Sequence, residues 1–388
     1  MTRIYLDNAA TSWPKPEAVY AVVDDYQRNI GAPTGRSGYA EAAQVARDVE
    51  TARRKVARIL GVRTHSQLIF GFNGTDALNL ALHGLLHLGD HVVTSVVEHN
   101  STLRPLFSLE REGVRVTRVG CDAEGLVDPA AIRDALRPET RLVALSHASN
   151  VTGAIQPIEE VGQIAKAAGA MFLVDAAQTA GHLPIQAEDL PVDLLAASGH
   201  KGLLGPLGTG ILYVRSGVEE YLSSVRQGGT GVFSEEDRQP LSMPSKYESG
   251  NLNVPGILGL AAAADYLYER GVASLRKHAV ELTGRLLEGL GRIDGVRIHG
   301  PRHPERQVGL VSISVEGYDP QEVAAALDAS HRVQTRPGLH CAPRMHRALG
   351  TFAHGGATRF SLGAFTTADE IDVALAALGE IAAMAAQR

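Results

Sequence analysis

Lys201 and Asp175 are the two residues whose types and settings are best suited to carbonyl chemistry. Lys201 lies in SGHKGLLGPLGTG, where small residues leave room for a bulky group and apolar neighbours lower an amine's proton affinity. A desolvated lysine can lose its proton and attack a carbonyl, forming a Schiff base. Taken by itself, the segment reads as an exposed loop with a solvated lysine. Asp175 changes that weighting, because it ends the apolar run AMFLV. A carboxylate ending a buried strand needs a cationic partner, and a protonated pyridine nitrogen is one. A lysine for an aldehyde and an aspartate for a pyridinium together point to pyridoxal 5'-phosphate (PLP).

PLP also needs an anion cradle. Asn73-Gly74-Thr75 opens an expected helix over 75–88, where free N–H groups and the helix dipole favour a phosphate. The same three residues also read as an ordinary N-cap. His99 has the shape to stack on a cofactor ring, or to be a satisfied strand-end histidine. Cys341 sits in RPGLHCAPRMH, close in sequence to Arg336, His340, Arg344 and His346. Cationic neighbours lower a thiol pKa and make it nucleophilic; the alternative is an inert surface thiol. Cys121, beside Asp122, reads as a small buried hydrophobe.

These residues need elements to position them. Strand-like runs occur at 91–97, 114–119, 141–145, 170–174, 194–197 and 210–214, and helical segments such as 40–60, 128–136 and 158–168 lie among them. Strands buried on both faces and separated by helices imply a largely parallel sheet in an α/β architecture. In such sheets ligands collect at the carboxyl ends of the strands. Glu98, His99, Ser146, His147, Asn150, Asp175, Gln178, Ser198, His200 and Lys201 all follow strand-like runs, and their accumulation argues for a site. From Gln227 to Pro255 the chain turns Gly-, Ser-, Pro- and Asn-rich and reads as an extended excursion or hairpin. A long helical segment over 256–291, interrupted by Gly271, a strand over 308–315, a helix over 320–329 and a last helix from Thr367 follow. The expected organisation is a large α/β domain to about residue 255 and a smaller α+β domain to the end.

Composition bounds the function without naming it. The chain has 388 residues, 44% hydrophobic and 21% charged, enough for a substantial core without disulfides. Thirty-seven Lys and Arg against forty-three Asp and Glu leave a formal charge of −6, which argues against a general nucleic-acid binder. Two cysteines fit a reducing compartment. No apolar run reaches the length of a membrane span or signal peptide, so a cytoplasmic, globular protein is expected. No GxxxxGK[ST] loop or GxSxG elbow occurs, and the glycines at 205, 208 and 210 precede a strand, whereas a dinucleotide fingerprint follows one. His83 and His87 lack the glutamate of an HExxH zinc motif, so no metal site is expected.

Taken together, the motifs resemble those of the cysteine desulfurases of the class V aminotransferase family, within the fold-type I PLP-dependent transferases. The resemblance runs through YLDNAAT (5–11), EHN (98–100), SNVTG (149–153), VDAAQ (174–178), SGHKGLLGP (198–206), ESGNLN (248–253), RPGLHCAP (336–343) and TRFSLGAF (358–365). The short interval from Cys341 to Arg359 is similar to the Suf-type group. The resemblance implies an N-terminal segment (1–15) packing with the small domain, a large PLP-binding α/β domain (16–255) with a mostly parallel sheet, and a small C-terminal α+β domain (256–388). It implies Lys201 as the Schiff-base lysine, Asp175 as the pyridinium partner, Gln178 at the phenolic oxygen and His99 over the ring as a proton shuttle. Gly74, Thr75, Ser198 and His200 would hold the phosphate, Asn150, Arg336 and Arg359 the substrate, and Cys341 the sulfur as a persulfide. The implied partners are L-cysteine, a protein or small-molecule sulfur acceptor such as one serving iron–sulfur cluster assembly, and a second copy of the chain in a homodimer. Three departures stand out: Asn251 replaces a threonine that reaches the neighbouring subunit's phosphate, Leu339 replaces a histidine, and GHKGLLGP carries an extra residue. A PLP-dependent C–S or selenocysteine lyase, or an aminotransferase, is the alternative that needs no Cys341.

Overall fold

The β-branched and apolar runs become strands of one sheet, the inner ones buried on both faces and the edge strand Arg115–Val119 only in part. The computed structural model describes residues 3–34, 38–232 and 235–385. Seven strands lie side by side in the order Leu68–Gly71, Gly210–Val214, Leu194–Ser198, Met171–Asp175, Thr140–Ser146, His91–Ser95 and Arg115–Val119. Strand Gly210–Val214 runs antiparallel to both its neighbours, and the five strands beyond it are mutually parallel. The expected mostly parallel α/β sheet is therefore present. Strand Leu68–Gly71 was not expected; its four residues are too few to show a period, and pairing with Gly210–Val214 makes it a strand.

Helices cover both faces. Helix Ala40–Ile59 buries Ala42, Val45, Val49, Ala52 and Val56, a stripe at the spacing of one helical face. Helix Gly74–Leu85 buries residues on most of its circumference, as its apolar sequence predicts. It stops at Leu85 rather than Leu88, which is 81% exposed, so His87 is not on the helix with His83.

A second sheet of four antiparallel strands takes the order Arg336–Gly338, Ala357–Ser361, Leu310–Val315 and Val296–His299. Helices Val272–Leu290, Pro320–His331 and Ala368–Ala385 share a core with it, built on Leu286, Leu290, Ile313, Leu327, Phe360 and Leu378. Ile4–Tyr5 pairs in parallel with Val333–Gln334, and Asp7 bridges to Ser361, so the N-terminal residues are joined to this smaller unit.

The large core extends past residue 255. Helix Val254–Arg270 buries Ile257, Leu260, Ala264 and Leu267 in the large core, beside Val45 and Val49. In helix Val272–Leu290, Val272 and Leu275 still pack against the large core, and Leu282, Leu286, Leu287 and Leu290 enter the small one. Gly271, at φ 76°, makes the break between the two helices. The change of composition at residue 255 marks the end of an irregular segment rather than a change of core.

That irregular segment forms no hairpin among its described residues. Side chains hold it instead: Gln239 Nε2 donates to the carbonyls of Ser245 and Lys246 and to Ser249 Oγ. Its anchor is Glu248, which accepts both terminal nitrogens of Arg53 (2.6 and 2.9 Å) and the Phe70 N–H (2.7 Å). Arg53 also donates to the Leu68 carbonyl. The pair ties helix, edge strand and excursion together at 1% and 8% exposure. No helix among the described residues is long and apolar enough to cross a membrane. Glu248→Ala leaves the buried Arg53 with only the half-exposed Glu50 as counter-charge (Nε to Oε1, 3.1 Å), and should destabilise the protein by about 3 kcal/mol in urea unfolding. A loss below about 1 kcal/mol would mean that water replaces the carboxylate.

Candidate active site

The carboxyl ends of the parallel strands open on a cavity of about 190 Å³. Gly74, Thr75, His99, Asn150, Asp175, Gln178, Ser198, His200 and Lys201 all line it, so nine of the residues singled out from sequence meet in one place. Neighbouring strands explain the meeting. Strands Met171–Asp175 and Leu194–Ser198 pair with Asp175 opposite Ala196, which brings the turn carrying Lys201 beside Asp175.

Electrostatics at the floor of the cavity are set by loss of water. Burial pushes the Lys201 amine down to about 8; Asp175 opposes that shift, while Arg359 and Arg336 reinforce it. Burial raises the Asp175 carboxyl, against an N–H from Ala177 (2.9 Å) and the charge of Lys201. Gln178 Nε2 donates to the Ala9 carbonyl (3.1 Å), which fixes its amide orientation.

His99 caps helix Asn100–Arg111: its Nδ1 accepts the Ser101 N–H at 3.0 Å. A ring nitrogen that accepts an N–H carries no proton, so the neutral imidazole bears its proton on Nε2. Burial, then Lys201, Arg359, Arg336 and Arg104, push this imidazole down to about 4. Ser101 Oγ lies 2.8 Å from His99 Nδ1 and 2.7 Å from Thr75 Oγ1. Ser101 was missed from sequence; its position two residues into a histidine-capped helix was the available signal.

The anion cradle is at the start of helix Gly74–Leu85. Asn73 Oδ1 accepts the Asp76 N–H, leaving the N–H groups of Gly74 and Thr75 without an intrahelical partner. A Cβ on Gly74 would lie 2.5 Å from Ser198 Oγ, so only glycine lets these two phosphate candidates stand so close. His200 Nδ1 is buried with no partner. An N-terminal helix cradle, an orphaned imidazole nitrogen, a buried carboxylate and a buried amine fit the phosphate, pyridine and aldehyde of PLP.

Beyond the cavity, Arg359 is 2% exposed and donates to the Asn150 carbonyl (2.8 Å) and to Asp7 Oδ1 (3.0 Å), while its Nε is buried and unpaired. Asp7 was not singled out from sequence. Arg336 stands opposite Arg359 in the small sheet. Cys341 is exposed and lines a groove that shares Thr75, His99 and Ser101 with the cavity. It is an electrostatic neighbour of both Lys201 and Arg359. Arg344, expected beside Cys341, instead interacts with Arg118, Arg347 and Glu110. His340 and Cys341 have φ of 48° and 57°, left-handed values that cost non-glycine residues about 1–2 kcal/mol each.

Other candidates turn away. Asn251 is exposed and lines a separate cleft with Arg226 and Phe72, so it does not reach the cavity of its own chain. Glu98 is enclosed by the Ser95 and Ser146 hydroxyls, and burial pushes its carboxyl up to about 7. His147 bonds Thr179. Cys121 is half-buried, 3.9 Å from Met345 Sδ, and burial, with Asp122, pushes its thiol up to about 11. No group of three or more metal-ligating side chains occurs among the described residues.

The aminotransferase class-V family model matches residues 4–374. A probable cysteine desulfurase of Methanothermobacter thermautotrophicus is 36% identical over 384 residues, covering 98% of this chain and 95% of that protein. The apo structure of a cysteine desulfurase from Thermococcus onnurineus superposes with a TM-score of 0.92 at 33% identity, covering 98% of this chain and 95% of the other. The cysteine desulfurase CsdA from Escherichia coli gives a TM-score of 0.88 at 28% identity, covering 98% and 95%.

Burial holds six imidazoles, those of His99, His147, His182, His200, His299 and His346, at about 4. In the unfolded chain they take protons near 6.5. Their contribution to stability is present above that pH and is lost as pH falls from about 6.5 toward 4. The raised carboxyls of Glu98, Asp175 and Glu248 work in the opposite sense and are outnumbered by the six rings. The Tm should therefore fall progressively across this pH range in calorimetry; a level Tm from pH 7 to 4.5 would contradict the burial of these rings.

Proposed function

The chain belongs to the aminotransferase class-V family, and we infer that it works as a PLP-dependent cysteine desulfurase, taking sulfur from L-cysteine onto Cys341 and leaving L-alanine. The observation that carries this reading is the placement of an exposed cysteine beside a cavity floored by a buried lysine and a buried aspartate.

Lys201 would hold the cofactor's aldehyde carbon, Asp175 its ring nitrogen, Gln178 its phenolic oxygen, and Gly74, Thr75, Ser198 and His200 its phosphate. Bound there, PLP supplies an electron sink that lets an amino acid's α-carbon give up its proton and its side chain lose sulfur. Arg359, with its unpaired Nε, and Asn150 are the groups for the substrate carboxylate, with Arg336 beside them. An amine near pKa 8 is basic enough to take the α-proton and acidic enough to return it, which suits Lys201 as the proton carrier. Neutral His99, with its proton on Nε2, donates at the cofactor's face and relays protons there. Cys341 thiolate attacks the substrate sulfur: a sulfur–sulfur bond forms, the carbon–sulfur bond breaks, and its electron pair with one proton completes alanine. The persulfide on Cys341 then passes its outer sulfur to an acceptor thiol.

The finer assignments are part of the same reading. The eighteen-residue step from Cys341 to Arg359, which holds the short helix Pro343–Ala348 and a 3-10 turn at Phe352–His354, fits the Suf-type branch and a sulfur acceptor serving iron–sulfur cluster assembly in the cytoplasm. The exposed position of Asn251 fits a homodimer in which this segment of one protomer completes the cavity of the other. Sedimentation should give a dimer; a monomer with full activity at low concentration would contradict the shared site.

The direct test supplies PLP, L-cysteine and a reductant, and measures sulfide and alanine together. Cys341→Ala should keep the cofactor's visible absorption while alanine formation falls by about a hundredfold or more, the scale of losing a nucleophile. Cys121→Ala should change turnover by less than about twofold, since a thiol near pKa 11 is almost entirely protonated. Sulfide release at the wild-type rate by Cys341→Ala would instead assign a direct C–S lyase.

A further inference from the structure

The Cys341 loop is held from two sides. Toward the large domain its carbonyls are tied down: the Asn100 N–H donates to the Cys341 carbonyl (2.7 Å) and Asn150 Nδ2 to the His340 carbonyl (2.6 Å). Toward the small domain the holding group is the His340 ring. Its Nε2 lies 3.0 Å from the Arg336 carbonyl, and a carbonyl only accepts, so Nε2 carries the proton. Nδ1 is then a lone pair, 3.2 Å from His346 Nε2, which must donate to it. His346 Nδ1 is left to accept from the Thr351 hydroxyl at 2.7 Å. Each assignment forces the next, and the chain runs one way, from Thr351 through His346 and His340 to Arg336.

The three side chains are 5%, 0% and 4% exposed in that order, and none lines the cofactor cavity. Their effect therefore reaches the site through the loop they hold. His340 and Cys341 are consecutive left-handed residues, a conformation that L side chains leave when nothing enforces it. Arg336, where the chain of bonds ends, stands opposite Arg359 in the small sheet. The relay thus references the thiol to the strand that carries the arginine assigned to the substrate carboxylate.

We propose that His346 and Thr351 are positioning residues for sulfur transfer: they hold the His340 ring in one tautomer and orientation, and so keep the Cys341 thiol presented at the mouth of the cavity. This rests on Cys341 being the sulfur acceptor. His346→Leu removes both bonds of the central ring, and Thr351→Val removes only the terminal hydroxyl. Glutamine at 346 places an amide nitrogen near the position of the imidazole Nε2 and restores the bond to His340; asparagine places its amide near Nδ1 and does not.

The experiment measures single-turnover persulfide formation on Cys341 in the holoenzyme, the KM for L-cysteine, the cofactor absorption, and hydrogen exchange at the amides of residues 339–342. His346→Leu should slow persulfide formation about tenfold or more and Thr351→Val about threefold, with KM and absorption unchanged and exchange faster in the loop. His346→Gln should stay within about threefold of wild type while His346→Asn resembles His346→Leu. Wild-type persulfide rates in folded His346→Leu and Thr351→Val, or equal effects of Gln and Asn, would overturn the relay. Should His346→Leu fail to fold, Thr351→Val and the loop exchange decide alone. Wild-type enzyme that forms no alanine from L-cysteine would instead end the desulfurase reading, and with it the purpose assigned to the relay.

Discussion

Asp175 is a carboxylate removed from water at the end of a central strand, balanced by one backbone N–H and the charge of Lys201. An ion so placed costs several kcal/mol unless a strong cationic partner arrives. Much of the surrounding structure serves to keep Asp175 and Lys201 together in a dry, open cavity. The sheet pairs their two strands in register, and the turn after Ser198 brings the amine back over the strand ends. Gly74 lets the helix that supplies free N–H groups approach Ser198. Both ionisable groups are shifted toward neutrality by the same loss of water, so a bound pyridinium would be stabilised by the site rather than merely tolerated.

The N-terminal segment clips the two domains together at the residues that do chemistry. The His200 carbonyl accepts from the Ser12 N–H, the Thr11 and Ser12 hydroxyls and Lys15 Nζ, all within 3.2 Å. The Ala9 carbonyl takes the Gln178 amide, and Asp7 takes Arg359. A few residues thus touch the turn before Lys201, the glutamine proposed for the cofactor's oxygen and the arginine proposed for the substrate. Cooperation between the domains is built into this clip. A shift of the small domain would move Arg359 and the Cys341 loop together, because both hang on the same four-stranded sheet.

The parts of the site legible in the sequence were those where residue type and strand ends coincide. Lys201, Asp175, Gln178, Ser198 and His99 follow apolar runs long enough to read as strands, and the topology of parallel sheets gathers their ends. Strand Leu68–Gly71 was hidden because four residues carry no period. The extension of the large core through helix Val254–Arg270 was hidden because the reach of a core is a property of packing, while composition changes at residue 255. Asp7 acts through a side-chain contact with Arg359, distant in sequence, which local pattern does not encode. Arg344 illustrates the converse. Nearness in sequence to Cys341 suggested a cation for the thiol, yet helix Pro343–Ala348 rotates that side chain toward Arg118 and Glu110.

Charge is distributed against the average of the molecule. The chain carries a formal charge of −6, but Lys201, Arg359, Arg336 and Arg104 all bear on His99 at the mouth of the cavity. Low-dielectric walls make such a cluster felt beyond contact distance, so an anion is drawn into the site while the rest of the surface repels it. For a zwitterionic amino acid, this attraction acts on the carboxylate and orients the molecule as it enters. Cys121 lies apart from this cluster, against Met345, where burial and then Asp122 push its thiol up to about 11. Two cysteines of equal intrinsic chemistry are thus separated by placement: Cys341 is exposed in the groove beside the cavity, and Cys121 is half-buried away from it.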